Sequence, residues 1–156
     1  MFRMDAIDRS ILRELQAEGR LANNALADRV RLSPSPCLRR LKRLEADGTI
    51  RGYRALVDRR RVGLGLTLFV EVKVSGHSRE RAREFEAAVM QVDAVIACHV
   101  LAGSADFLLE VVVADLAAYE RLLLDTLLVL PGVIDVRSNI AIRTVKESAP
   151  LPLGAA

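Results

Sequence analysis

Two hydrophobic periods follow one another along the chain, a helical one up to about residue 47 and an alternating one beyond Gly65. Ile7, Ile11, Leu12 and Leu15 fall on one face of a 3.6-residue repeat, which predicts a helix over 5–17 capped by Asp5 and stopped at Gly19. A second short helix is expected over 23–30, opened by Asn23 or Asn24, with Leu26, Ala27 and Val30 turned inward. After Arg31-Leu32-Ser33 a third helix begins. Ser33 is a suitable N-cap, and Pro34 sits where a missing N–H costs nothing. Pro36 still falls in the first turn, and the helix runs to about Asp47 and stops at Gly48. Thr49–Val57 reads as an extended segment suited to a wing or a link, and Asp58-Arg59-Arg60-Arg61 with Gly63 and Gly65 marks a domain boundary.

In the second part Leu66, Leu68, Val70, Val72 and Val74 alternate with Thr67, Phe69, Glu71 and Lys73, the pattern of a strand with one strongly apolar face. A helix carrying Ala82, Phe85 and Val89 follows, then strands over 94–101 and 107–113, a Leu-rich helix over 116–128 ended by Pro131-Gly132, and a last strand over 133–142. The order βαββαβ is the ferredoxin-like split motif. It is also a weak internal repeat, in which Phe69-Val70-Glu71-Val72 echoes Leu108-Leu109-Glu110-Val111. The fold class expected is therefore α+β. An N-terminal winged helix-turn-helix occupies 1–57, a linker 58–65, a ferredoxin-like domain 66–147, and a loose tail 148–156. Helices cover only one face of such a sheet. Phe69 lies among the polar residues of the other, so an association surface and a homodimer are expected.

Charge sharpens the first part. Residues 1–62 carry fifteen Lys and Arg against eight Asp and Glu, a net +7, and the remainder carries −4. On the third helix, Leu38, Leu41 and Leu44 are assigned to the core. Ser35, Pro36, Arg39, Arg40 and Arg43 are assigned to the opposite side, with Lys42 at its edge. A major groove admits one α-helix, and Arg and Lys on its outer face reach phosphates or guanine edges. Solvated helix faces usually mix both signs, whereas Glu45 is the only acid before this helix ends. Ser33, Ser35, Pro36, Arg39, Arg40, Lys42 and Arg43 are the candidate DNA-binding residues, and double-stranded promoter DNA is the expected partner. Dimeric recognition helices would suit paired half-sites.

Composition excludes more than it selects. No run approaches the roughly 18 uncharged apolar residues of a membrane span, and Met-Phe-Arg-Met-Asp is not a secretory leader, so a cytoplasmic location is expected. Cys37 and Cys98 lie far apart without CxxC spacing and are expected as free thiols, Cys98 as a small core residue. Cys98 and His99 are adjacent on a strand and point to opposite faces, which disfavours a shared metal ion. No metal site and no cofactor are expected.

These residues carry a family resemblance from Met4 to about Lys146. Met4-Asp5-Ala6-Ile7-Asp8-Arg9-Ser10-Ile11-Leu12, Leu32-Ser33-Pro34-Ser35-Pro36-Cys37-Leu38-Arg39-Arg40-Leu41 and Ile50-Arg51-Gly52-Tyr53 resemble, in order and spacing, the Lrp/AsnC (feast/famine) transcriptional regulators. So do Gly103, Asp106-Phe107-Leu108-Leu109 and Leu130-Pro131-Gly132-Val133. The resemblance implies a sequence-specific regulator sensing a small metabolite, commonly an amino acid. It also implies dimers that assemble into tetramers, octamers or larger rings, with an effector pocket between dimers. Carried over, that pocket involves Val100, Gly103, Ser104, Asp106, Leu116, Asn139, Ile140 and Ala141. Asp106 either accepts from an α-ammonium group or serves as a turn residue. Three departures stand out: Arg31 where the family often has glycine, Ala25 where it often has an acid, and the small pair Ser104-Ala105 in the effector loop. The last leaves open an altered effector or none.

Some haem-pathway decarboxylases resemble this fold, so the architecture alone also admits an enzyme. However, His77 and His99 are the only histidines, and no nucleophile-base pair or phosphate-binding loop is visible. No catalytic residues are assigned. The same architecture would suit a general nucleoid-type DNA-binding protein, a metal sensor or a stand-alone sensing protein. The last would leave four basic residues along one helix unexplained.

Overall fold

The computed structural model describes residues 4–76 and 79–154, so His77 lies outside the described residues. The chain forms two compact units. One holds the residues up to Leu56 together with the segment from Lys146 onward, and the other is Val57–Val145.

The first unit is built on α1 (Ala6–Ala17), α2 (Asn23–Arg29) and α3 (Pro34–Ala46). Asp5 caps α1 as expected, within a reciprocal box: its carboxylate accepts from the Asp8 N–H, and the Asp8 carboxylate accepts from the Asp5 N–H. Ala22, not an asparagine, is the N-cap of α2, because the Asn23 amide is engaged in donating to the Pro34 carbonyl at 3.0 Å. Ser33 caps α3 by position, without a side-chain hydrogen bond. Between α2 and α3 the Leu32 N–H reaches back to the Ala27 carbonyl at 2.9 Å. That closure requires a left-handed residue after the helix end, and Arg31 supplies it at φ 55°. Ile11, Leu26, Ala27, Cys37 and Leu44 are fully buried where the three helices meet. After α3, residues 51–58 take no regular secondary structure. Tyr53 is tied back to Glu45 at 2.8 Å, and burial followed by the Glu45 carboxylate pushes its phenol up to about 12.

The terminal segment departs from the expected loose tail. Gln16 accepts from the Leu151 N–H at 2.6 Å, Arg9 and Arg13 donate to the carbonyls of Leu153 and Gly154 at 2.7 and 3.1 Å, and Leu153 packs on the helical core. Pro150 and Pro152 deny this segment the donors of a regular ladder. Its carbonyls are satisfied by α1 side chains instead.

The second unit is the βαββαβ expected. Strands β1 (Leu66–Val74), β2 (Val95–Val100), β3 (Phe107–Val113) and β4 (Val133–Ile140) form one antiparallel sheet in the order β2-β3-β1-β4. Helices α4 (Arg79–Val89) and α5 (Leu116–Asp125) contribute Phe85, Val89 and Tyr119 to its core. The Leu-rich helix is shorter than its apolar pattern implied. It stops at Thr126, and Leu127–Val129 continues as a single 3-10 turn that buries Leu127. Leu68, Val70 and Val72 of β1 and Phe107, Leu109 and Val111 of β3 meet these helices, with the Phe85 and Phe107 rings 4.4 Å apart. Each fully buried side chain of this size contributes about 1.5–3 kcal/mol. Phe69, Lys73, Glu110 and Asn139 belong to the opposite face. The 58–65 segment, expected as a linker, carries its own local contacts. Asp58 accepts from the N–H groups of Arg60 and Arg61, and Arg59 is pinned to Glu110 and Thr67 at 2.9 and 3.2 Å.

Two stability effects follow. A left-handed non-glycine residue costs about 1–2 kcal/mol, part of which glycine returns as unfolded-state entropy. Arg31→Gly is therefore expected to stabilise the DNA-free protein by about 0.5–1 kcal/mol in urea melts, and a loss of stability would refute the strain. Deleting residues 148–156 uncovers Leu153's neighbours and strips the α1 clamp. It is expected to cost about 1–2 kcal/mol, read as a lower thermal midpoint of the helical unit; no shift would mean that the clamp contributes nothing.

Candidate DNA-reading helix and effector positions

The roll of α3 about its axis differs from the one read in the sequence. Cys37 and Leu44 are buried and Leu41 is half-buried, a face at i, i+4 and i+7, while Leu38 is 39% exposed. The assignment of Leu38 to the core is therefore corrected. Spacing of i, i+3 and i+6 drifts off a 3.6-residue face within two turns, and Cys37, a residue type that is commonly buried, was the missed signal. With this roll Ser35, Leu38, Arg39 and Lys42 line the outward side of the helix, and all four are exposed. Pro36 is half-buried and Ser33 is exposed at the helix start.

Arg40 is half-buried and turned away from that outward side, contrary to the sequence reading. Arg43 is exposed and follows Arg39 by about 40° around the helix, but Arg40 and Arg43 are both engaged by acids of α1. Arg40 donates to Asp5 at 2.7 Å and to Asp8 at 2.9 Å, and Arg43 donates to the same Asp8 oxygen at 2.7 Å. Asp8 is 1% exposed, and no sequence argument singled it out beyond its place in the first helix. The Asp8 backbone N–H and then the Arg40 guanidinium hold the Asp5 carboxyl below the usual carboxylate range, and the two acids raise the Arg40 guanidinium. Arg39 and Lys42 have no hydrogen bond or ion pair among the described residues.

The eight effector positions fall into two groups within one chain. Val100, Gly103, Ser104 and Asp106 lie beside the end of β1, where Asp106 accepts from the Val74 N–H at 2.9 Å and its own N–H donates to the Val72 carbonyl. Asp106 thus ties the loop before β3 to the end of β1. Leu116, Asn139, Ile140 and Ala141 lie beside the start of β1, where Ile140 pairs with Leu68 and the Ala141 N–H donates to Thr67. Leu68 and Val74 stand six residues apart on β1, about 20 Å at the rise of a strand. Val100, Leu116 and Ile140 are all more than half exposed. A cavity of about 130 Å³ on the sheet face away from the helices is lined by Glu71, Lys73, Ser104, Ala105, Asp135 and Arg137, and includes only Ser104 of the eight.

Both thiols are free: Cys37 is buried in the helical core, while Cys98 is exposed and not the core residue expected. It pairs with Leu109 on a short edge strand that its neighbours cover incompletely, and His99 pairs with Leu108 on the other face. Among the described residues no cluster of metal-ligating side chains occurs, and no helix is long and apolar enough to cross a membrane.

Comparison with known proteins agrees with both units. Residues 4–51 match a winged helix-turn-helix DNA-binding family and residues 67–151 match the Lrp/AsnC ligand binding domain. The chain is 43% identical over 145 residues to the leucine-responsive regulatory proteins of Salmonella typhimurium and Escherichia coli, covering 93% of this chain and 88% of theirs. Among solved structures it is similar to a Neisseria meningitidis transcriptional regulator in complex with L-methionine, with TM-score 0.91, 41% identity and 97% of each chain covered. An AsnC family regulator from Agrobacterium tumefaciens matches with TM-score 0.91 and 38% identity over 96% of this chain and 97% of that one. A Mycobacterium tuberculosis feast or famine regulatory protein complexed with L-methionine matches with TM-score 0.86 and 33% identity over 93% of this chain and 96% of that one. A DNA-binding helix-turn-helix, a one-sided βαββαβ ligand domain and full-length similarity converge on one conclusion: the chain belongs to the Lrp/AsnC family of transcriptional regulators, and is not an enzyme.

Proposed function

We propose that this DNA-binding regulator reads its operator with the outward stripe of α3, Ser35, Leu38, Arg39 and Lys42, and that it acts as a homodimer or higher assembly tuned by an apolar amino acid. The observation that carries the reading is that Arg39 and Lys42 have no partner among the described residues, on the exposed side of a helix whose other face is locked into the core. Ser33 and the Ser35 N–H at the start of α3 suit a backbone phosphate, since N–H groups at a helix start favour anions, whereas Pro34 and Pro36 offer no such donor. A dimer is supported by the sheet: α4 and α5 bury one face, and Phe69 is 40% exposed on the other.

The effector reading rests on the two groups of positions at opposite ends of β1. A ligand touching both must lie between copies of the chain, because one chain holds them about 20 Å apart. Relatives from Neisseria meningitidis and Mycobacterium tuberculosis have structures with L-methionine. Exposed Leu116, Val100 and Ile140 favour an apolar side chain, and backbone groups of the Gly103-Ser104 loop favour the polar end of an amino acid. Asp106, already engaged with Val74, retains a carboxylate oxygen for an ammonium group.

The test is binding to labelled DNA from upstream of its own gene, with excess unrelated competitor and at two salt concentrations. Wild-type protein is expected to survive competition. The double variant Arg39→Ala/Lys42→Ala is expected to lose about 100-fold or more in affinity, since each base or phosphate contact is worth about 1–3 kcal/mol. Unaltered binding by a folded double variant would sink the groove assignment, and binding lost wholly to competitor would favour a general nucleoid-type protein. For the effector, calorimetric titration with L-methionine and L-leucine is expected to show saturable binding that Ser104→Trp abolishes; silence from both, or binding indifferent to the substitution, would overturn the assigned pocket.

A further inference from the structure

The basic residues of α3 form two parallel pairs, Arg39 with Lys42 and Arg40 with Arg43, each spaced i, i+3 and offset from the other by one residue, about 100° around the helix. Either pair would serve to meet a phosphate backbone. Among the described residues only the second is held internally, by Asp8. Its Oδ1 accepts from Arg40 at 2.9 Å and from Arg43 at 2.7 Å, and its Oδ2 accepts from the Asp5 N–H at 3.2 Å. Asp5 adds a second acceptor for Arg40 at 2.7 Å. A carboxylate at 1% exposure is tolerated only when its oxygens are filled by such donors. The arrangement thus joins the first turn of α1 to the middle of α3 at a fixed rotation.

We propose that Asp8 is a specificity-determining positioning residue of the DNA-reading helix: with Asp5 it withholds Arg40 and Arg43 from the DNA and so decides which cationic pair meets the groove. This rests on the reading of α3 as the DNA-contacting helix. Two arginines freed beside Arg39 and Lys42 would add phosphate contacts that every sequence offers. They would raise non-specific affinity and blur the orientation on which base contacts depend.

The experiment measures affinity for operator and for unrelated DNA across a salt series, using full-length wild type, Asp8→Asn, Asp5→Asn and Asp8→Asn/Arg40→Gln/Arg43→Gln. Asp8→Asn is expected to bind unrelated DNA several-fold more tightly. Its log affinity against log salt should steepen by about 1–2 units, as one or two extra phosphate contacts require, and its ratio of operator to unrelated affinity should fall at least tenfold. The triple variant should return the slope to the wild-type value. Asp5→Asn, altering an acid that is half exposed, keeps the test alive if Asp8→Asn does not fold, with a smaller change in the same direction. A merely architectural Asp8 would instead lower both affinities together and leave the slope alone, which would overturn the proposal, as would an unchanged ratio. Failure of wild-type protein to bind DNA at all would fault the reading of α3 itself, a distinguishable result.

Discussion

The period-two pattern of β1 constrains the whole second unit. β1 sits inside the sheet, paired to β3 on one side and β4 on the other. Each of its side chains is therefore committed to one of two faces, and a one-residue slip would exchange them all. Leu68, Val70 and Val72 demand cover, and Phe85, Tyr119 and Leu127 supply it. Two crossing helices cover one face of four strands and no more. Phe69, Glu71 and Lys73 remain opposite them, so the strand that fixes the core also fixes which surface remains for other uses.

The helical unit meets a different constraint. It is small, and its few buried apolar side chains meet where three short helices cross. Polar contacts complete the fixing: the box between Asp5 and Asp8 starts α1, and the same two acids reach across to α3. One set of carboxylates thus serves as helix cap and inter-helix tie. Acidification that protonates Asp5 weakens the cap and its own tie to Arg40 together, since its carboxyl is held low by the folded arrangement, and leaves the Asp8 ties in place.

Much of this was legible in the chain. Alternation, the Pro34 helix start, the Asp5 cap and the βαββαβ order follow from local chemistry that tertiary packing had no reason to override. What escaped reading was rotational. An arginine is written the same way whether it faces a phosphate or an aspartate 32 residues earlier, and only packing separates Arg39 from Arg40. Leu38 misled because leucine spacing was given more weight than the buried cysteine beside it. The effector positions were chosen by resemblance, and their separation along β1 could not be seen without the register. The ordered terminal segment was missed because its contacts are side chain to backbone and leave no periodic trace.

That segment changes the connectivity of the molecule. Because residues from Lys146 onward rejoin the unit that ends at Leu56, the sheet unit is, topologically, an insert in the helical one. A protease that cuts once within residues 58–65 would not release the helical unit. The fragment beginning at the cut would still carry Leu151–Gly154, and with it a non-covalent grip on Arg9, Arg13 and Gln16. Nicked protein would run as two pieces only once denatured, and a second cut, after Val145, would be needed to set the sheet free.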